Sequence, residues 1–237
     1  AMPGPRYRAS TAVYNGYVYV LGGRSSGSTY ESTVYYAPLN ANGTVGTWST
    51  GTAMPATLSG HSTVVANGYL YAIGGYNGSY QSTVYYAPLN ANGFVGAWNT
   101  NTNALLEPRS FHRSVVLNGY VYAIAGNNSS GAQLSTINYA QLNANGSVGL
   151  WSTSVSSVAR QSPSVVDYNG RVYMLGGYNA GDTATVYYSS PSQTSFSLLT
   201  AGGCANLTTA VSCTDSGLTN GTAYYYKVAA QNSVGVG

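Results

Sequence analysis

The chain repeats itself, and that limits its possible folds more than any other feature. Residues 31–43 read ESTVYYAPLNANG, residues 81–93 read QSTVYYAPLNANG, and a third version, LSTINYAQLNANG, begins at Leu134. A second block precedes each of these: VYNGYVYVLGG from Val13, VANGYLYAIGG from Val65, VLNGYVYAIAG from Val116 and DYNGRVYMLGG from Asp167. The closing glycines Gly23, Gly75, Gly126 and Gly177 are separated by 52, 51 and 51 residues. Every full copy ends on a tryptophan: Trp48, Trp98 and Trp151. A period of this length marks a unit that cannot bury its apolar face alone and must stack on its neighbours.

Within a unit the pattern is strand and turn. β-Branched and aromatic runs flank Asn15-Gly16, Asn67-Gly68, Asn118-Gly119 and Asn169-Gly170. Asn-Gly is the strongest hairpin signal because a type I′ turn needs positive φ at both central residues. A third strand follows in STVYYAPL, ended by Pro38 or Pro88. A further Asn-Gly turn, Asn42-Gly43, then leads to an expected fourth strand bearing the tryptophan. No segment has helical periodicity, so the fold class is all-β. Four antiparallel strands in about 51 residues make one propeller blade.

The double glycine after an aromatic strand, the tyrosine pair in the next strand and the tryptophan beyond resemble kelch repeats. The inter-blade segments fit as well, with Pro5-Arg6 matched by Pro108-Arg109. The resemblance covers residues 1 to about 190, although Ala125 replaces the first glycine in the third copy. It implies a β-propeller in which Gly22, Gly23, Gly74, Gly75, Gly126, Gly176, Gly177 and the three tryptophans pack strands and neighbouring blades. Ala1-Met2-Pro3 matches Ala53-Met54-Pro55, the end of a blade, so the sequence starts where a previous blade would finish. Kelch propellers usually close with more units than the three full copies and part of a fourth seen here. The expectation is therefore a fragment of a longer array, or an open or four-bladed assembly whose strand edges invite pairing.

The pattern changes near Ser189, giving an expected division into blades over 1–188 and a second module over 189–237. The stretch SCTDSGLTNGTAYYYKVAAQNSVGVG resembles the second half of a fibronectin type III domain, with Leu218 and Tyr224 at that family's leucine and tyrosine-corner positions. Thr185 to Leu199 reads either as the last strands of a fourth blade or as the middle strands of that module. Cys204 and Cys213, nine positions apart, match no zinc spacing and read as a local disulfide. Such a bridge would stabilise its loop by roughly 2.5–3 kcal/mol and would favour an oxidising, extracellular setting.

Composition narrows the partners. Only 5% of residues are charged and the net charge is +3, so solubility rests on hydroxyls and amides. No basic run exists to grip a phosphate backbone, which excludes nucleic acid as a partner. No apolar stretch is long enough for a membrane helix. AMPGPRYRAS lacks the features of a signal peptide, so a secreted form would have lost its leader or would carry it elsewhere.

Few residues ask for chemistry. The acids Glu31, Glu107, Asp167, Asp182 and Asp215 share no repeat position, which argues against paired acid–base catalysis. His61 and His112 align with each other, but Ala9 and Pro163 stand at the matching positions of the outer units, so no metal set forms. The copper ligands and cysteine-crosslinked tyrosine of kelch oxidases have no counterpart. Arg6, Arg109 and Arg160 align, with Leu58 in the second unit. They read either as a cationic rim for acidic sugars and carboxylates or as structural partners of backbone carbonyls. Sequons stand at Asn42, Asn77, Asn127, Asn128, Asn145, Asn206 and Asn220. Most coincide with turn chemistry, and all would be acceptors in a glycosylating host.

The sequence thus points to a non-enzymatic, secreted or cell-surface adhesion protein that needs no cofactor and presents propeller loops to a protein or glycan. The alternative is a structural subunit of an extracellular fibre, sheath or surface layer that self-associates through open strand edges. A kelch-type enzyme is the third reading.

Overall fold

The structure is a computed structural model. It describes residues 1–182 and 184–189, together with the strands Phe196–Leu198, Gln231–Asn232 and Gly235–Val236. The chain divides into two compact units, Ala1–Leu198 and Leu199–Gly237. In the second unit, Gln231–Asn232 pairs antiparallel with Gly235–Val236, Asn232 opposite Gly235. The fibronectin-like features at Leu218 and Tyr224 lie outside the described residues.

The first unit is four antiparallel four-stranded sheets in a propeller arrangement, and no helix occurs among the described residues. Blade 1 comprises β1 (Ser10–Tyr14), β2 (Tyr17–Leu21), β3 (Val34–Pro38) and β4 (Ser49–Thr50). Blade 2 comprises β5 (Ser62–Ala66), β6 (Tyr69–Tyr76), β7 (Tyr80–Pro88) and β8 (Asn99–Thr100). Blade 3 comprises β9 (Arg113–Leu117), β10 (Tyr120–Ile124), β11 (Leu134–Gln141) and β12 (Ser152–Arg160). Blade 4 comprises β13 (Ser164–Tyr168), β14 (Arg171–Leu175), β15 (Val186–Ser189) and β16 (Phe196–Leu198). Val186–Ser189 and Phe196–Leu198 therefore supply the third and fourth strands of a blade. The fourth strand of the first two blades differs from expectation. It has two residues and begins just after the tryptophan, which leaves the indole free to pack sideways.

The hairpin turns follow their sequence. Asn15, Asn67, Asn118 and Asn169 have φ of 46° to 51°, and the glycine after each lies at 72° to 77°. This is the type I′ geometry, whose twist matches that of the flanking strands.

Alternation along the strands sorts each blade into two faces. One face inserts toward the next blade and carries Tyr19 and Leu21 in blade 1, Tyr71 and Ile73 in blade 2, and Ile124 in blade 3. The other receives the preceding blade and carries Leu70 and Ala72, Val121 and Ala123, or Val172 and Met174. Three buried apolar clusters result, one each between blades 1 and 2, 2 and 3, and 3 and 4. Burying side chains of this size contributes on the order of 1.5–3 kcal/mol apiece before entropy is charged.

Two devices lock neighbouring blades. The double glycines adopt positive φ (Gly22 55°, Gly23 86°) and press against the next inter-blade segment, where the Gly23 N–H donates to the Leu58 carbonyl at 2.8 Å. A Cβ on Gly22 would stand 2.5 Å from that same carbonyl oxygen. Gly75 and Gly126 repeat the bond to Arg109 and Arg160, also at 2.8 Å. The indole of Trp98 donates to the Thr52 carbonyl (2.9 Å) and that of Trp151 to the Asn103 carbonyl (3.1 Å), in each case on the segment leaving the preceding blade.

Candidate functional site

The aligned arginines are internal. Arg109 and Arg160 are both 0% exposed, whereas a ligand rim needs guanidiniums open to solvent. Arg109 Nη1 donates to the carbonyls of Ala123 (3.2 Å), Ala125 (3.1 Å) and Thr136 (3.1 Å). Its Nη2 reaches Glu107 Oε1 at 2.9 Å and Thr136 Oγ1 at 3.0 Å. Burial lowers the pKa of Arg109 to about 10, against a smaller upward pull from Glu107. Arg160 donates to the Gly176 carbonyl and to Thr185 Oγ1, and its guanidinium lies 4.6 Å from the centre of the Tyr187 ring. Arg6 stacks over Tyr35 at 5.0 Å, bonds its hydroxyl at 3.0 Å and approaches Glu31 at 3.6 Å. These side chains fasten an inter-blade segment to the blade that follows it.

The sequon amides are engaged in their own turns. Asn42 Oδ1 accepts from the Thr44 N–H (3.1 Å) and hydroxyl (2.7 Å), and Asn145 with Ser147 and Asn128 with Ser130 repeat both distances. Asn77 Oδ1 accepts from Gln81 Nε2 at 2.9 Å. Asn127 is buried. Asn206, Asn220, Cys204 and Cys213 lie outside the described residues.

The blades converge on an axis. The middles of β1, β5, β9 and β13 line a channel of about 480 Å³ through Thr11–Val13, Thr63–Val65, Ser114–Val116 and Val165–Asp167. At the end where these strands begin, the channel opens into a mouth of about 490 Å³ to which all four blades contribute. A backbone collar frames that mouth. Gly60 N–H donates to the Arg8 carbonyl (2.9 Å), Phe111 N–H to that of Gly60 (2.8 Å) and Ser162 N–H to that of Phe111 (2.8 Å). All four collar residues are left-handed, with φ of 56°, 60°, 57° and 52° in chain order. Only glycine adopts that region without steric cost.

Arg8, Arg113 and His61 give the mouth its chemistry. Both arginines are exposed, and Arg8 stacks over Phe111 at 5.0 Å. The ion pairs found among the described residues use Arg6 and Arg109, and no carboxylate lines the mouth. His61 is 1% exposed and neither ring nitrogen has a hydrogen-bond partner; the same holds for His112, at 0%. Burial holds His61 neutral by lowering its pKa to about 4. Burial takes His112 well below the ordinary value, with help from Arg109, His61 and Arg113.

Repeat alignment could not find the two arginines, because Arg8 faces Gly60, Phe111 and Ser162 at its equivalent positions, and Arg113 faces serines. The only sequence signal was their departure from the repeat. Among the described residues no group of acids, histidines and cysteines could hold a metal, and no helix is long and apolar enough to cross a membrane.

Comparison with known proteins agrees with this architecture. Residues 5–36 and 57–86 match the Kelch motif. No curated protein matches the chain. A solved structure described as "Structure of YjhT" is similar, with a TM-score of 0.67 at 16% identity over 84% of this chain. The chain spans 66% of the length of that structure. Sequence motif and three-dimensional likeness thus converge on kelch motifs carried by a propeller arrangement of four blades, a fold that is typically a protein-binding scaffold.

Proposed function

We propose that this is a non-enzymatic binding protein of the cell exterior whose axial mouth captures an anionic group on a protein or glycan. The observation that carries the reading is the pair Arg8 and Arg113, exposed cations on one concave surface that have no carboxylate partner among the described residues. Low-dielectric walls focus the field of such charges on a ligand entering the mouth, and guanidinium forks suit carboxylate and sulfate oxygens. An exterior setting is supported by a chain with only 5% charged residues, whose solubility comes from hydroxyls and amides.

The test is calorimetric titration of a hexaglutamate peptide and of an acidic oligosaccharide into the full chain. Binding that weakens with salt and falls at least tenfold in the Arg8→Ala/Arg113→Ala variant supports the reading. Silence with both ligands, or affinity unchanged in that variant, overturns it. The alternative role, as a subunit of an extracellular structure, draws on a different feature: the exposed apolar side chains Val166 and Leu175 of blade 4.

A further inference from the structure

We infer that the axial mouth and a second cavity on blade 1 are adjacent subsites for a linear acidic polysaccharide, one charged sugar in each. The inference rests on the reading of the mouth as an anion site. The second cavity has a volume of about 270 Å³ and lies among Arg6, Tyr7, Arg24 and the serines Ser25, Ser26 and Ser28. It sits at the same end of the molecule as the mouth. Ser10 pairs with Leu21, and just beyond that pair Tyr7 and Arg24 exchange backbone hydrogen bonds of 3.0 and 2.8 Å. Tyr7 lines this cavity and Arg8 lines the mouth, so two consecutive residues hold the cavities side by side.

Each cavity presents the same two groups, a guanidinium outside any ion pair and an exposed tyrosine ring. In the mouth these are Arg8, Arg113 and Tyr178, the last 41% exposed. In the second cavity they are Arg24 and Tyr7, which is 44% exposed. The ion pairs found among the described residues leave Arg24 out. Its guanidinium is held in place by Tyr30, 4.3 Å from the ring centre and 2.5 Å from the hydroxyl. The Ser28 hydroxyl stands 3.1 Å from that of Tyr7, and Ser28 and then Arg24 lower the pKa of Tyr7, which puts this cation beside the Tyr7 ring. Arg8 lies between the two cavities, 5.9 Å from the ring centre of Tyr7 and 5.0 Å from that of Phe111. Cations and rings therefore alternate from one cavity to the other: Tyr30, Arg24, Tyr7, Arg8, Phe111.

A uronic acid carries both matching groups on every residue. Its carboxylate suits a guanidinium fork, and the C–H face of its ring packs on the negative face of an aromatic ring. Its hydroxyls suit the three serines beside Arg24. An acidic peptide offers the carboxylates without the flat apolar face. A single exposed ion pair contributes little, whereas joining two makes the second contact intramolecular. Affinity should therefore rise steeply once a ligand spans both cavities.

The experiment is calorimetric titration of the full chain with galacturonate, tetragalacturonate, neutral maltotetraose and hexaglutamate. The wild type should bind tetragalacturonate about tenfold or more tighter than galacturonate, and maltotetraose should not bind. Arg24→Ala and Tyr7→Ala should each reduce the tetramer's advantage about fivefold or more. Tyr7→Phe, which keeps the ring, should retain it. Arg171→Ala should retain it too, since Arg171 lies at the hairpin end of blade 4, away from the mouth. Thermal midpoints check that the variants are folded, and Arg24→Gln replaces Arg24→Ala if the latter is not. A tetramer that binds no tighter than the monomer, or whose advantage survives Arg24→Ala and Tyr7→Ala, overturns the inference. The mouth reading then stands if galacturonate binding is lost in Arg8→Ala/Arg113→Ala, and falls with the inference if that variant binds every ligand as the wild type does. Hexaglutamate binding that depends on Tyr7 and Arg24 to the same degree would assign the cavities to an acidic peptide, and binding of maltotetraose equal to that of the acid would show that the cations are not used; either result overturns the inference.

Discussion

Lowering the pH from 7.5 to 5 should destabilise this protein through two residues. His61 and His112 are the only histidines in the chain, and both are buried without a hydrogen-bond partner. An unfolded histidine takes up its proton near pH 6.5, whereas folded His61 waits until about pH 4 and burial likewise holds His112 well below its ordinary value. Between those values the unfolded state binds more protons than the folded one, so stability falls as the pH falls. The contribution is fully present above about pH 6.5 and is lost through the window down to about pH 4. At pH 5 the loss from His61 alone is about 2 kcal/mol, and His112 adds to it in the same direction. That is a large part of the 5–15 kcal/mol typical of a domain. The background is quiet, since the chain has only five carboxylates and these protonate mainly below pH 5. Urea unfolding followed by tryptophan fluorescence at four pH values between 7.5 and 5 measures the loss. The His61→Leu/His112→Leu variant should be nearly flat over this range, and each single variant should keep only part of the slope. A wild-type change below about 0.5 kcal/mol, or an undiminished slope in the double variant, would refute the reasoning.

Two further outcomes follow from the blade junctions. Arg109→Ala should cost about 3–5 kcal/mol in urea unfolding, because it strands Glu107 and three backbone carbonyls, and Arg109→Lys should not restore the loss since one ammonium cannot span them. Gly22→Ala should lower the thermal midpoint by the equivalent of about 2 kcal/mol or more, since it adds a left-handed penalty to a clash with the Leu58 carbonyl; Gly16→Ala, in an open turn, should show the left-handed penalty alone.

The blades were legible because their determinants are local. Asn-Gly at four hairpins, alternation in strands such as YVYVL and a glycine pair every 51 or 52 residues act within a few positions of themselves. Ala125 shows that even a departure from the pattern keeps the geometry, with φ of 61° where glycine stands in the other copies. The partners of the arginines were not legible. Arg6, Arg109 and Arg160 align as a rim would, and only the fold shows that Arg109 turns inward to carbonyls up to 27 residues away. The mouth was hidden for a related reason. Its residues come from four blades, and the two that matter most, Arg8 and Arg113, have no counterparts in the repeat. In such a chain, agreement among the copies identifies what holds the blades, and disagreement at a shared position points to what one blade adds.

The collar allows that distinction to be tested at one position. Arg8, Gly60, Phe111 and Ser162 occupy equivalent places with φ near 55°, and Gly60 shows that glycine satisfies this geometry. A side chain there costs about 1 kcal/mol or more of backbone strain. Arg8 recovers part of this by stacking on Phe111, a contact worth roughly 0.5–1 kcal/mol at an exposed site. Arg8→Gly relieves the strain, gives up the stacking and adds about 0.5–1 kcal/mol of chain entropy to the unfolded state. The three effects nearly cancel, so the thermal midpoint should move by only a few degrees. If the arginine is there for the mouth, anion affinity should fall at least tenfold in the same variant, and more steeply at low salt. A variant that unfolds would show Arg8 to be part of the scaffold. One that keeps both stability and affinity would show that the cation at the collar serves neither purpose.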